Sequence, residues 1–356
     1  MSYPTYPGGY MYPNETLIWL PIIVTYIVFI SIASGSAIML SLGVLYDKSI
    51  LRRMVPLFLM MSIATALVYL LGPLADLRRP DRAPYIFLYP HVVPSEMYPG
   101  ISIISFMATI MWPLLIILLF ILGYLVLFRG MWNSIVSKIL ALLLIVVGLV
   151  WSTYFAPLLF TTLPLLALYN FIPLLPAESF LEAIALSSSL ALLALLIHYR
   201  SQEKSLAKFL SQVILACSLV FITLRLFQVF RLYAYLTGSP EALVFIEVFS
   251  NMNIIVLILA AISSILAFYT YIKGYNILTI LLALLTLIWV FTDRWLFAIN
   301  IQSISKTALA VVPYSLDLAS WALESIAMAF FALFVYYVLY AWIVREPLLK
   351  AVGDVK

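Results

Sequence analysis

Nine apolar runs, each long enough to cross the hydrocarbon of a bilayer as a helix, constrain this chain more than any other feature of it. They fall at 17–45, 55–74, 101–128, 139–159, 179–197, 209–234, 242–272, 277–297 and 316–344. A hydrocarbon core about 30 Å thick takes roughly 20 helical residues to span. Barrel strands would instead show as alternating segments of about ten residues. Composition agrees: 65% of residues are hydrophobic and 10% charged, with a mean hydropathy of +1.15. A soluble domain is roughly half apolar and a quarter charged. The expected fold is therefore an all-α polytopic membrane protein of about nine transmembrane helices. Residues 160–177, broken by Pro164, Pro173 and Pro176, suit a loop or short interfacial helix.

The same counts exclude several chemistries. One cysteine, Cys217, leaves no disulfide framework, no thiolate-held iron–sulfur cluster and no four-cysteine zinc site within this chain. Two histidines, His91 and His198, are too few for two bis-imidazole haems, and neither lies mid-run. Metals of any associated redox chemistry belong to a partner. The net charge of +4 is small and scattered, which describes loops beside a membrane and not a nucleic-acid surface.

Basic residues predict orientation. Twelve follow odd-numbered runs: Lys48, Arg52, Arg53, Arg129, Lys138, Arg200, Lys204, Lys208, Lys273, Arg345, Lys350 and Lys356. The other side has six, Arg78, Arg79, Arg82, Arg231, Arg294 and Lys306, while Arg225 lies inside a run. The positive-inside bias gives an external amino terminus and a cytoplasmic carboxy terminus. No Lys or Arg precedes residue 48, so the first run lacks the basic front of a cleavable signal and is expected to be retained.

Ionisable groups in hydrocarbon are expensive and mark candidate functional residues. Arg225, Arg231, Glu247, Asp293, Arg294, Asp317 and Glu324 all fall in the external halves of their runs under this orientation. Arg231, Asp293, Arg294 and Asp317 lie so near predicted ends that they read as interfacial groups or structural ion pairs. Arg225, Glu247 and Glu324 are deeper and read either as functional groups or as an internal pair such as Arg225 with Glu247. The helical period puts Arg225 with Gln228, Glu247 with Asn251, and Asp317 with Glu324 on shared faces, so runs six to nine are expected to converge on one polar pocket. With the inner halves nearly free of such groups, protons are expected to exchange with the outside.

The most specific string follows the second run: Gly72-Pro73-Leu74-Ala75-Asp76-Leu77-Arg78-Arg79-Pro80-Asp81-Arg82, then Pro94-Ser95-Glu96-Met97-Tyr98. It resembles the Asp-Leu-Gly-Arg-Pro loop, followed by Ser-Pro-Met or similar, of the NrfD-type membrane subunits, the family that includes the polysulfide reductase membrane anchor. Trp19, Tyr26 and Ser34-Gly35 are similar to that family's first helix, and Tyr154 in Trp151-Ser152-Thr153-Tyr154-Phe155 to the tyrosine of its fourth. The resemblance covers roughly the first 165 residues. Tyr26 stands where polysulfide-reductase-like members have histidine, Ile23 where they have asparagine, and Arg78 where the loop has glycine.

The resemblance implies two four-helix bundles with an added helix, divided at 1–165 and 166–356, in a plasma-membrane subunit without a cofactor of its own. It implies quinone or quinol bound near the external face by Tyr26, Tyr154 and Trp19. It also implies an iron–sulfur partner and a molybdopterin catalytic subunit above that face, docked through Arg78, Arg79 and Arg82, in sulfur-compound respiration. The chain would be a quinone-reactive or non-catalytic subunit, with Asp76, Glu247, Glu324 and Arg225 as candidate proton-relay groups. The competing readings are a secondary transporter and a structural anchor without a quinone site. The one-sided distribution of charge weighs against a transporter, whose site usually lies near the midplane.

Overall fold

The computed structural model describes residues 20–46, 49–76, 83–88, 92–93, 102–162, 173–199, 204–235, 240–274, 277–304 and 316–341. Among these, nine helices are long and apolar enough to cross a membrane. They are α1 Ile22–Leu45, α2 Ile50–Pro73, α3 Ile103–Phe128, α4 Ile135–Leu159, α5 Leu175–His198, α6 Lys204–Ala234, α7 Leu243–Lys273, α8 Ile277–Ser303 and α9 Leu318–Leu339. A short helix, Leu71–Asp76, follows the turn that ends the regular part of α2, and another, Ala83–Leu88, precedes α3. The chain is a multi-pass membrane protein.

Helix contacts close into two rings of four. α1, α2, α3 and α4 pack in one ring and α5, α6, α7 and α8 in the other, with α1 set against α5 and α8. α1 is the buried axis, its apolar window wholly enclosed. Small residues allow this. A Cβ on Gly35 would stand 2.1 Å from the Ala183 carbonyl oxygen of α5, and beside it the Ser187 hydroxyl donates to the Ile32 carbonyl at 3.1 Å. On another face the Ser62 hydroxyl of α2 donates to the Ala33 carbonyl at 2.7 Å. Where hydrocarbon surrounds the bundle, close backbone approach supplies association that the hydrophobic effect does not.

Local chemistry explains the irregular turns. Pro113 has no N–H to offer Thr109, and the turn before it, Met107–Met111, is widened to a π-helix. The outer helices turn apolar side chains such as Ile117, Phe230, Ile265 and Phe330 away from the bundle, as a lipid solvent requires. α9 packs on α2 and α1, although it follows the second ring in sequence. Its Ser325 hydroxyl lies 2.7 Å from that of Thr25, to which Trp321 Nε1 also donates at 3.2 Å.

Candidate functional site

Five ionisable side chains meet inside the second ring. Arg225 of α6 donates from Nε to Glu178 Oε1 at 3.0 Å and from Nη2 to Glu178 Oε2 at 2.8 Å. Its Nη2 also reaches Asp293 Oδ1 of α8 at 2.7 Å, and its Nη1 reaches Asn253 Oδ1 of α7 at 3.0 Å. Gln228, three residues along α6, donates to Glu178 Oε1 at 2.6 Å. Arg294 pairs through Nη2 with Glu182 Oε2 at 2.5 Å and donates from Nη1 to the Ser179 hydroxyl at 2.9 Å. That Nη1 also stands 3.9 Å from Asp293 Oδ2.

These groups are fully buried, and the cost of taking them out of water is offset only by dense pairing. Glu178 and Glu182 share one face of α5, four residues apart, and Ser179 neighbours Glu182 three residues on. Aromatic faces complete the enclosure. The Arg225 guanidinium lies 4.9 Å from the centroid of Phe221, 5.2 Å from Phe297 and 5.9 Å from Phe249. Arg294 lies 4.8 Å from that of Phe155. In apolar surroundings such contacts are worth about 2 kcal/mol or more.

Phe155 joins this cluster to an aromatic group in the first ring, since its neighbour Tyr154 sits at the break in α4. Trp151, one helical turn earlier, is fully buried and meets Tyr69 edge to face, with ring centroids 4.9 Å apart at 81°. Its indole Nε1 is buried without an acceptor. Tyr154 and Tyr69 are buried too. Tyr26 of α1 closes the same end: a Cβ on Gly72 would lie 2.3 Å from Tyr26 Cβ. The arrangement is rich in donors and poor in acceptors, walled by apolar side chains, and so fits a ligand that presents carbonyl oxygens.

No family model matches the chain. Against a curated relative, a subunit of the tetrathionate reductase of Archaeoglobus fulgidus, it is 26% identical over 349 residues, which cover 91% of this chain and 92% of the relative. That match extends over both helical rings. The chain is similar over most of its length to that tetrathionate reductase subunit.

The residues singled out from sequence part company. Tyr26 and Tyr154 lie at the same end, while Trp19, Arg78, Arg79 and Arg82 lie outside the described residues. Asp76 is described only as the last residue of its short helix. Arg225 pairs with Glu178 and Asp293, not with Glu247, which is exposed on the outer side of α7. Glu324 is half-buried on α9. The expected convergence of helices six to nine is corrected accordingly: α5 takes the place of α9.

Asp293 and Arg294, read as interfacial groups or structural ion pairs, are ion-paired and fully buried, not interfacial. α8 runs on to Ser303, six residues past the expected end at 297, so both sit a turn and more deeper. Asp317 fits its expected place at an end. It caps α9 by accepting from the Ser320 N–H at 3.1 Å and from the Ser320 hydroxyl at 2.6 Å. Those bonds, the hydroxyl's foremost, hold its carboxyl below the usual aspartate range. Glu178 and Glu182 were missed. Their signal was present, two acids four residues apart at the head of an otherwise uncharged helix.

Proposed function

We propose that this chain is the quinone-reactive membrane subunit of a respiratory reductase complex acting on a sulfur compound of the tetrathionate or polysulfide type. The observation that carries the reading is the Trp151 N–H, buried without an acceptor beside Tyr154 and Tyr69, in a chain collinear with a tetrathionate reductase subunit. A buried donor left unmade costs about 1–3 kcal/mol, and a ligand oxygen removes that cost. The charge bias of the loops supports an external amino terminus in the plasma membrane, which puts this end outside. Arg78, Arg79 and Arg82 then face an iron–sulfur partner, with a molybdopterin subunit beyond it.

A bound quinone supplies two-electron, two-proton chemistry at this end. The chain's own part is to hold and orient. Trp151 Nε1 and the Tyr154 hydroxyl would donate to its oxygens, Tyr26 would line the approach from α1, and the apolar walls would exclude bulk water. Arg225 remains a cation under all working conditions, so its contribution to proton movement is electrostatic. Asp76, Glu247 and Glu324 are the candidate exchangers, Asp76 nearest the loop.

The test is purification of the complex from its native membrane. The reading expects an iron–sulfur protein, molybdopterin and quinone to accompany the chain. A chain recovered alone, without metal or quinone, would sink it and turn attention to solute uptake in vesicles.

A further inference from the structure

Charge does not balance in the buried cluster. Two guanidiniums, Arg225 and Arg294, face three carboxyl groups, Glu178, Glu182 and Asp293, all fully buried. Fully ionised, the group would hold one uncompensated negative charge inside the bundle. An uncompensated buried charge costs several kcal/mol even after relaxation, and proteins commonly remove it by taking up a proton.

Geometry says where that proton sits. Glu178 has both oxygens occupied by Arg225, and Oε1 also takes the Gln228 amide, so it is the fully satisfied carboxylate. Asp293 Oδ1 is likewise taken by Arg225. What remains are Glu182, whose Oε2 pairs with Arg294 while its Oε1 has no hydrogen-bond partner, and Asp293 Oδ2, likewise buried and without one, on two carboxyl groups that both border Arg294. Two bare carboxylate oxygens do not sit together in an apolar interior, whereas an acid and a carboxylate form a strong O–H···O bond.

We infer that Glu182 of α5 and Asp293 of α8 form a one-proton binding site, a protonated carboxyl pair held inside the ion network of the second ring. A bound sodium ion would need a shell of several oxygens. Here the Arg294 guanidinium, a like charge, lies against Glu182 and near Asp293, where a second cation would be repelled. The site is independent of whether quinone binds in the first ring. It adds to the chain a buried place to hold and exchange one proton.

Infrared difference spectroscopy of the purified complex in H2O and D2O tests this. At neutral pH wild type minus Glu182→Gln should contain the C=O stretch of a buried carboxylic acid, shifted by deuteration. Asp293→Asn should remove the same band. Glu182→Gln replaces a neutral acid by a neutral amide and should accumulate at near wild-type level, well above Glu178→Gln. A wild-type spectrum without the band, a band that survives both Glu182→Gln and Asp293→Asn, or one seen only after sodium is withdrawn would each overturn the assignment. So would a Glu182→Gln chain as unstable as Glu178→Gln.

Discussion

Arg225 grips Glu178 through two parallel bonds, Nε to Oε1 at 3.0 Å and Nη2 to Oε2 at 2.8 Å, and thereby ties α6 directly to α5 with both side chains fully buried. The paired geometry matters, because a guanidinium matches a carboxylate in two places at once.

Removing one partner strands the other. Glu178→Gln keeps shape but leaves Arg225 short of a countercharge and Gln228 facing an amide, and breaking such a pair costs about 3–5 kcal/mol. The expected outcome is a markedly lower thermal midpoint in detergent. Arg225→Lys should recover little, since an ammonium does not make the two-point contact.

The α1–α5 seam depends on the absence of a side chain. Gly35→Val would press new carbon on the Ala183 carbonyl and on the Ser187 hydroxyl, 2.1 and 2.4 Å from where a Cβ would stand. Because the first obstacle is backbone, a side-chain change such as Ser187→Ala should not rescue it. The cost should exceed the roughly 1–3 kcal/mol usual for overpacking. Yield of folded protein and its melting in detergent read this directly.

If the Tyr154 hydroxyl holds a quinone oxygen, Tyr154→Phe removes one neutral hydrogen bond, about 1 kcal/mol. Quinol-dependent turnover should fall roughly three- to tenfold through the quinol KM, while the partner proteins stay bound and their dye-linked activity is unchanged. Equal loss in both assays would point to assembly instead.

The cap of α9 should respond to acid. Asp317 is exposed, and its carboxyl lies below the ordinary range because Ser320 donates to it twice. A depressed value in the folded chain contributes stability that is complete above the unfolded aspartate pKa of about 3.9 and is lost as pH falls through the lower folded value. Hydrogen exchange at the Ser320 amide should therefore quicken as pH drops into that window. In Asp317→Ala the exchange should be fast throughout, with no such step.

Sequence by itself determined the nine spans, because apolar length is a local property that the bilayer reads directly, and the ends found from it agree within several residues with those of the helices. It also carried a resemblance to the NrfD-type membrane subunits, through Asp76-Leu77-Arg78-Arg79-Pro80 and the aromatic residues of the first and fourth helices. Which charges meet was a different matter. Glu178 and Glu182 were not singled out, and Asp293 and Arg294 read as interfacial groups or structural ion pairs, until the length of α8 and the packing of α5 put all four in one buried network with Arg225. Helical spacing says which residues share a face, but not which neighbour that face meets. That neighbour was decided by the tertiary structure, through the close approach of α1 to α5 at Gly35 and the closure of the second ring.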